Sequence, residues 1–591
     1  MKLVILVCVL IHTSNAVDWI KGRGAQVAFV EQEAEHAKHT GKLIGNDRTY
    51  GVLSSEASQR RAVTLDAVGQ YVEFTMPVKS NSFNVRYSLP DSADGKGLDA
   101  TMDLYVADKK LKALPMTSRY SWQYGGYPFN NHPGPNPHHF YEETRTLLDK
   151  EYPAGTKVKL QVTSTSASPT FTIDVADFEM VDKPIPKPSG ALSVVDYKAD
   201  PTGKTDSTVA FQAAVDAGKS QKKLVYIPEG NYLLYDHVIV DQVTLAGAGP
   251  WYSVLGGRHP TERRKACGVY GADAKKGGSK NVLLKDFAII GDIQERVDDD
   301  QVNCIGGALS NTVVDNVWMQ RCKCGAWMDG PMDNFTIQNS RILDTFADGV
   351  NFHMGVTNSK VHNTFLRNQG DDTLAMWAQN VPNVNNKFTQ NTIGLPVLAN
   401  NVAIYGGKDI EVSDNLIYDT LTNGGGIHIA NRYPGVNGNQ AVKGKHNVFR
   451  NTLLRAGNSD YNWRFGIGAI WFSGENEAIT GATIHVKDCD VIDSSYAAIH
   501  FIQGETHGVI FENVLINGTG TFMLQVMAPG DATFKNVTVA NIQETNPVNS
   551  CVGDRFKLTI DGENPKWNND KKFYNCTAIY NHAKVVWPWN W

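Results

Sequence analysis

Two periodicities divide the chain. Up to about residue 182, apolar and polar residues alternate in short runs such as Tyr71-Val72-Glu73-Phe74 and Phe83-Asn84-Val85-Arg86-Tyr87, broken by Gly, Asp, Ser and Pro. Alternation of period two between frequent turns predicts half-buried strands in a β-sandwich. A proline-rich stretch, 183–190, has the composition of a stiff linker. Beyond it Val209, Phe211 and Val215 recur at helical spacing and predict a helix over 207–219, with Asp206 as its N-cap. The rest is a repeat. Asn316, Asn339, Asn363, Asn391, Asn415, Asn451, Asn513 and Asn536 each open a short apolar run, at intervals of 23, 24, 28, 24, 36, 62 and 23, the 62 covering two turns if Asp490 marks one between. One Asn per turn of roughly 20 to 25 residues is the signature of a parallel β-helix. The predicted fold is therefore all-β: a β-sandwich over 17–182, then a right-handed parallel β-helix over 191–591, closed at its start by a capping helix.

Composition narrows the setting. The chain has 591 residues, 42% hydrophobic and 20% charged, with a formal net charge of -5. That charge offers no basic field for nucleic acid or for an anionic membrane surface. Residues 1–16 combine Lys2, a short apolar run and a Ser14-Asn15-Ala16 end, the pattern of a cleaved secretory signal. The expectation is a secreted, extracellular protein acting as a monomer. Beyond the leader lie Cys267, Cys304, Cys322, Cys324, Cys489, Cys551 and Cys576. An oxidising compartment permits disulfides among them, Cys551 with Cys576 for instance, while an odd number leaves one thiol unpaired. Sequons at Asn334, Asn517, Asn536 and Asn575 are candidate glycan acceptors.

Stacking converts sequence offsets into neighbours. A 24-residue step places Asp348 beside Asp372, a 28-residue step then places Asn400 above both, and Asp371 adjoins Asp372. Three carboxylates crowd one sheet edge within about two coil spacings of roughly 4.8 Å. Like charges so close raise at least one pKa and supply an acid beside ionised bases. Hydrolysis of a glycosidic bond with inversion needs such a pair, separated by about 6.5 to 9.5 Å, and two residues one coil apart and laterally offset can meet that. Asp371 is the expected general acid, and Asp348 and Asp372 share the base and water-positioning role. The same offsets align His353 with Trp377 and Tyr405, and Asn351 with Ala375, Ala403 and His428. His353, Trp377, Tyr405 and His428, with Asn400, Arg432, Trp471 and His500, form the candidate sugar-binding set, in which aromatic faces stack pyranose rings and imidazoles bond hydroxyls.

The segments 347–353, 367–372 and 424–432 resemble glycoside hydrolase family 87, the endo-acting α-1,3-glucanases and mycodextranase. The likeness runs from about Ala191 to the end of the repeat and implies catalytic roles for Asp348, Asp371 and Asp372. A looser likeness to polygalacturonases, which would need cations such as Lys408 or Arg432 for substrate carboxylates, is weakened by the interrupted Gly426-Ile427-His428. A non-catalytic wall-binding protein whose aspartates hold calcium is the remaining alternative. The N-terminal unit resembles carbohydrate-binding module family 35 through Glu31-Gln32-Glu33-Ala34-Glu35 and 69–74. That resemblance implies a structural calcium on Glu33, Glu35 and Asp177, an oxygen-only ligand set suited to that ion. Together these readings give a secreted endo-acting, inverting hydrolase of α-1,3-glucan or mixed α-1,3/α-1,4 glucan, with no organic cofactor.

Overall fold

The computed structural model describes residues 22–126, 129–458, 466–562 and 571–573. The expected leader, Cys576 and Asn575 lie outside them. Two compact units result: Gln26–Ile185 with Asp292–Asp299, and Pro186–Gly291 with Asp300 onward.

The first unit is a sandwich of two antiparallel sheets, one of six strands and one of five. Its core follows from the alternation seen in sequence: Val72, Phe74, Phe83, Val85 and Tyr87 are buried, and Phe83 packs against Phe178 and Phe74. In the second unit, parallel strands stack coil upon coil in the right-handed parallel β-helix expected. Its interior is a continuous apolar column containing Val350, Phe352, Leu374, Met376, Val402, Ile404, Ile427 and Ile429. Period two then turns Asn351, His353, Ala375, Trp377, Ala403, Tyr405, His428 and Ala430 to the opposite face. The capping helix spans Thr208–Gln221 and buries Phe211 against Tyr232. Ser207 is its formal N-cap, but the capping bond is Asp206's, whose carboxylate accepts the Thr208 N–H at 3.0 Å.

The asparagine repeat resolves into two ladders. Asn316, Asn339, Asn363, Asn513 and Asn536 hold left-handed backbone at φ 47 to 54° and pass side-chain bonds along the outside, as from Asn363 to Asn339 at 2.7 Å. Asn391, Asn415 and Asn451 belong to an inner ladder one residue later in the turn. Asn391 receives the Thr364 N–H, Asn415 that of Asn391, and Asn451 that of Asn415, at 2.8 to 3.1 Å. Gln390, Asp414 and Arg450, immediately before them, carry the left-handed turn.

Cys304 and Cys322 form a disulfide, while Cys267, Cys324 and Cys489 are buried thiols. Cys551 is disulfide-bonded as well.

Candidate active site

Asp348, Asp372 and Asn400 occupy one position on three successive coils. Their carbonyls accept the N–H groups of Gly325, Gly349 and Thr373 at 3.2, 3.1 and 2.8 Å. The close approach requires glycine after the first aspartate, since a Cβ on Gly349 would lie 2.4 Å from the Thr373 carbonyl oxygen. Gly370, ahead of Asp371, is equally confined, with the Phe346 carbonyl oxygen 2.3 Å from where its Cβ would be. One carboxylate oxygen from each of Asp348, Asp371 and Asp372 lies within 4.8 Å of the other two. These nearest-oxygen distances are a different quantity from the carboxyl-to-carboxyl separation of about 6.5 to 9.5 Å by which inversion is judged.

The three aspartates are held differently. Asp348 and Asp372 are buried and Asp371 half-buried. Asp348 Oδ2 accepts the Asn351 side-chain amide at 2.7 Å. Asp371 Oδ1 accepts the Asp372 N–H at 2.9 Å. Asp372 is enclosed by donors: the Asn400 backbone and side-chain N–H groups reach Oδ1, each at 2.8 Å, and the Tyr405 hydroxyl reaches Oδ2 at 2.8 Å. Burial first, and the neighbouring Asp371 charge second, push the Asp372 carboxyl up to about 7 against the pull of those bonds. Burial holds the Tyr405 hydroxyl protonated, with the Asp372 charge adding to it.

Four of the eight expected sugar-binding residues, Asn400, Tyr405, Trp471 and His428, are linked to Asp372 directly or in sequence. Asn400 and Tyr405 hold Asp372. Trp471, 1% exposed, donates its indole N–H to Asn400 Oδ1 at 2.9 Å. His428 lies flat on Trp471, with ring centroids 3.3 Å apart, and burial followed by the Arg432 charge keeps it neutral. His500 is fully buried in the next coil, paired in register with Trp471. Arg432 is buried against Glu475 at 3.2 Å, with its guanidinium 5.0 Å from the Tyr433 ring centroid. His353 is bonded to Asp329 at 2.6 Å and to Gln379 at 2.8 Å, between the rings of Trp327 and Trp377, both at 5.0 Å. Trp377 is the expected member whose ring stays half-open.

Asn351, Trp327, Asp329, Gln379 and Tyr433 complete the site. Asn351 lies in the predicted column and three residues from Asp348, a signal that was there to be used. Tyr433 gave none. It sits at a left-handed φ of 69°, uncommon for a bulky residue, 6.4 Å from Trp377 and 4.7 Å from Tyr405 by ring centroids. Burial pushes its hydroxyl up to about 12, and the charges of Asp372 and Asp371 add to the effect.

Among the described residues, the aspartate trio is the one group of three or more acidic, His or Cys side chains whose ligand atoms lie within 4.8 Å of one another. Of the expected set Glu33, Glu35 and Asp177, the two glutamates interact with each other. Asp177 pairs in register with Glu31 and accepts the Asn84 side chain at 2.9 Å. The carboxylate whose charge acts on both glutamates is Asp174, three residues earlier, where the strand register shifts between Ile173 and Ala176. The glutamates themselves fit a hard cation: Glu33 Oε2 and both Glu35 carboxylate oxygens are buried without a hydrogen-bond partner. Burial pushes the Glu35 carboxyl up to about 8.

Clustered carboxylates on one face of a parallel β-helix, flanked by half-open aromatic rings, define a carbohydrate-active hydrolase. Family profiles described as α-1,3-glucanase catalytic domains D1 and D2 match residues 26–181 and 204–567. Among solved structures, the chain is similar to the catalytic unit of the thermostable GH87 α-1,3-glucanase of Streptomyces thermodiastaticus strain HF3-3, with 39% identity and a TM-score of 0.83 over 93% of this chain and 98% of that one. It is also similar to the Agl-KA catalytic domain, at 28% identity and a TM-score of 0.82 over 91% and 99%. A GH87 α-1,3-glucanase catalytic domain in complex with nigerose gives 25% identity and a TM-score of 0.79 over 92% and 100%. A comparison with curated proteins returns no match. The chain belongs to glycoside hydrolase family 87 and is an α-1,3-glucan-hydrolysing enzyme. The unit that resembles a binding module in sequence is matched by the family's own first catalytic domain.

Proposed function

We propose that the protein is a secreted enzyme that cleaves α-1,3-glucan within the chain and inverts the anomeric centre, with Asp371 as general acid and Asp348 and Asp372 holding the attacking water. The observation that carries this reading is the unequal treatment of the three carboxylates. Donors on both oxygens of Asp372 favour its ionised form against the burial that raises its pKa, and Oδ2, which accepts one bond, keeps a lone pair to take a proton from water. Of the three, half-buried Asp371 is the most open, and so the one placed to deliver a proton to the leaving oxygen. Oxygens within 4.8 Å leave room for one water bonded to both Asp348 and Asp372 at ordinary lengths.

Solved GH87 structures support the assignment, since aspartates at the spacing of Asp348, Asp371 and Asp372 are replaced by alanine in forms that hold nigerose or tetrasaccharides. Half-open rings on both sides of the trio, Trp327 in the coil before it and Tyr433 beyond the later strand Ile427–Ala430, favour a chain that crosses the site. The leader-like first 16 residues and the Cys304–Cys322 disulfide favour an oxidising, extracellular setting. The deciding experiment is digestion of insoluble α-1,3-glucan with the product anomer followed by NMR. A β-anomer at early times is expected; an α-anomer would overturn inversion, and single-glucose release from the outset would overturn endo action. We further propose that Glu33 and Glu35, with Asp174 nearby, hold a structural calcium.

A further inference from the structure

We propose that Trp471 is a positioning residue of the hydrolytic site: its indole N–H, acting through the Asn400 side chain, fixes the orientation of the Asp372 carboxylate. The inference rests on the reading of Asp372 as a member of the hydrolytic trio.

The argument begins with the two ends of the Asn400 amide, which are similar in shape and opposite in hydrogen bonding. If the oxygen end faced Asp372, an acceptor would oppose an acceptor in a buried site. Two donors prevent this. Trp471 Nε1 and the Gly425 backbone N–H both reach Asn400 Oδ1, each at 2.9 Å. The amide nitrogen is thereby turned to Asp372 Oδ1 at 2.8 Å and to the Tyr405 oxygen at 3.2 Å.

The indole is fixed in turn. It is stacked on His428 with a 7° interplanar angle, and a Cβ on Gly425 would lie 2.9 Å from its Cδ1 and 2.3 Å from the Gly468 carbonyl oxygen. The chain of bonds therefore runs across coils, from the strand Ile470–Ser473 to the turn before Val402 and on to Asp372. A ring 1% exposed cannot stack on a sugar, which leaves packing as the competing role.

Packing and positioning separate experimentally. Trp471→Phe retains a ring against His428 and deletes the donor. The expected result is a fall in kcat of about tenfold with KM within about twofold, since the interaction acts on Asp372 and not on bound glucan. The acid-side limb of the pH profile is expected to move to higher pH, because weaker donation to Asp372 lets it take up a proton more readily. The charged and titratable groups around Asp372 are Asp371, Asp348, Tyr405, Tyr433 and Arg432, all unchanged in this variant. Asn400→Ala breaks the relay at its middle and leaves the Trp471–His428 stack in place. If Trp471 acts through Asn400, the double variant is no slower than Asn400→Ala alone. Wild-type kcat and pH profile in Trp471→Phe, or additive losses in the double variant, overturn the proposal. Should Trp471→Phe not fold, Asn400→Ala with unchanged kcat and pH profile overturns it equally. Asp372→Asn is assayed in parallel: full activity there would remove the hydrolytic reading itself, whereas an inactive Asp372→Asn beside an unaffected Trp471→Phe removes only this inference.

Discussion

The Tyr405 hydroxyl donates to Oδ2 of Asp372 at 2.8 Å, from a strand one coil further along. A residue aligned for sugar stacking thus spends its polar end on a carboxylate, and burial keeps that hydroxyl protonated over the working pH range. Tyr405→Phe is expected to lower kcat about 10- to 100-fold with little change in folding stability. The sign of its pH effect follows from the bond: donation by Tyr405 lowers the Asp372 pKa, so losing it raises that pKa. Because the base must be ionised, the acid-side limb of kcat/KM against pH is expected to move upward.

Asp371→Asn is expected to reduce hydrolysis of α-1,3-glucan by a factor of about 10² to 10⁴, the usual worth of a general acid. Its far-ultraviolet circular dichroism should match the wild type. A substrate with a good leaving group needs less protonation, so the loss on an activated aryl glucoside is expected to be smaller. Equal losses on both substrates would remove Asp371 from the acid role.

Gly349→Ala tests the coil contact that brings Asp348 and Asp372 together. The added carbon meets the Thr373 carbonyl oxygen at 2.4 Å, and Leu366 and Gln369 at 3.0 and 3.1 Å. The backbone oxygen cannot withdraw without parting two coils. A loss of about 2 kcal/mol or more in urea unfolding is expected, together with a fall in activity.

Calcium added to chelated protein is expected to raise Tm. Glu33→Gln should abolish the rise, and Asp177→Asn should leave it intact, because Asp177 accepts the Asn84 side chain while Asp174 is the aspartate whose charge acts on both glutamates. A calcium response lost in Asp177→Asn would restore the ligand set first expected from sequence.

Register made the trio legible. Period-two alternation fixes which residues face out, and the 24-residue step puts Asp348 on Asp372 whatever the loops do. The 28-residue step also held on the sheet bearing the site, for a reason the asparagines conceal. Asn363 is equivalent to Gln390 and not to Asn391, and the turn ahead of Asn400 adds the missing residue before Leu374 pairs with Val402. Side-chain destinations were not legible. Whether Trp471 meets sugar or Asn400 depends on contacts across coils, and the position of Tyr433 depends on an uncommon backbone angle that carries no sequence mark.

The inner ladder offers a test of what fastens the coils beside the site. Asn415 Nδ2 donates both to the Phe388 carbonyl at 2.9 Å and to Asn451 Oδ1 at 2.9 Å, while its Oδ1 accepts the Asn391 N–H at 2.8 Å. All three asparagines are fully buried. Asn415→Leu would fill the same volume and take these partners from the Asn391 N–H and the Phe388 carbonyl of the preceding coil, away from water. Each such group costs about 1 to 3 kcal/mol, so a total loss of about 2 to 5 kcal/mol is expected. Asn363→Leu, on the outer ladder, removes a bond whose partners solvent can replace, and should cost less than about 1 kcal/mol beyond the strain of its left-handed backbone. Thermal and urea unfolding of the two variants side by side measure the difference. Equal costs would mean that the buried ladder fastens the coils no better than the exposed one.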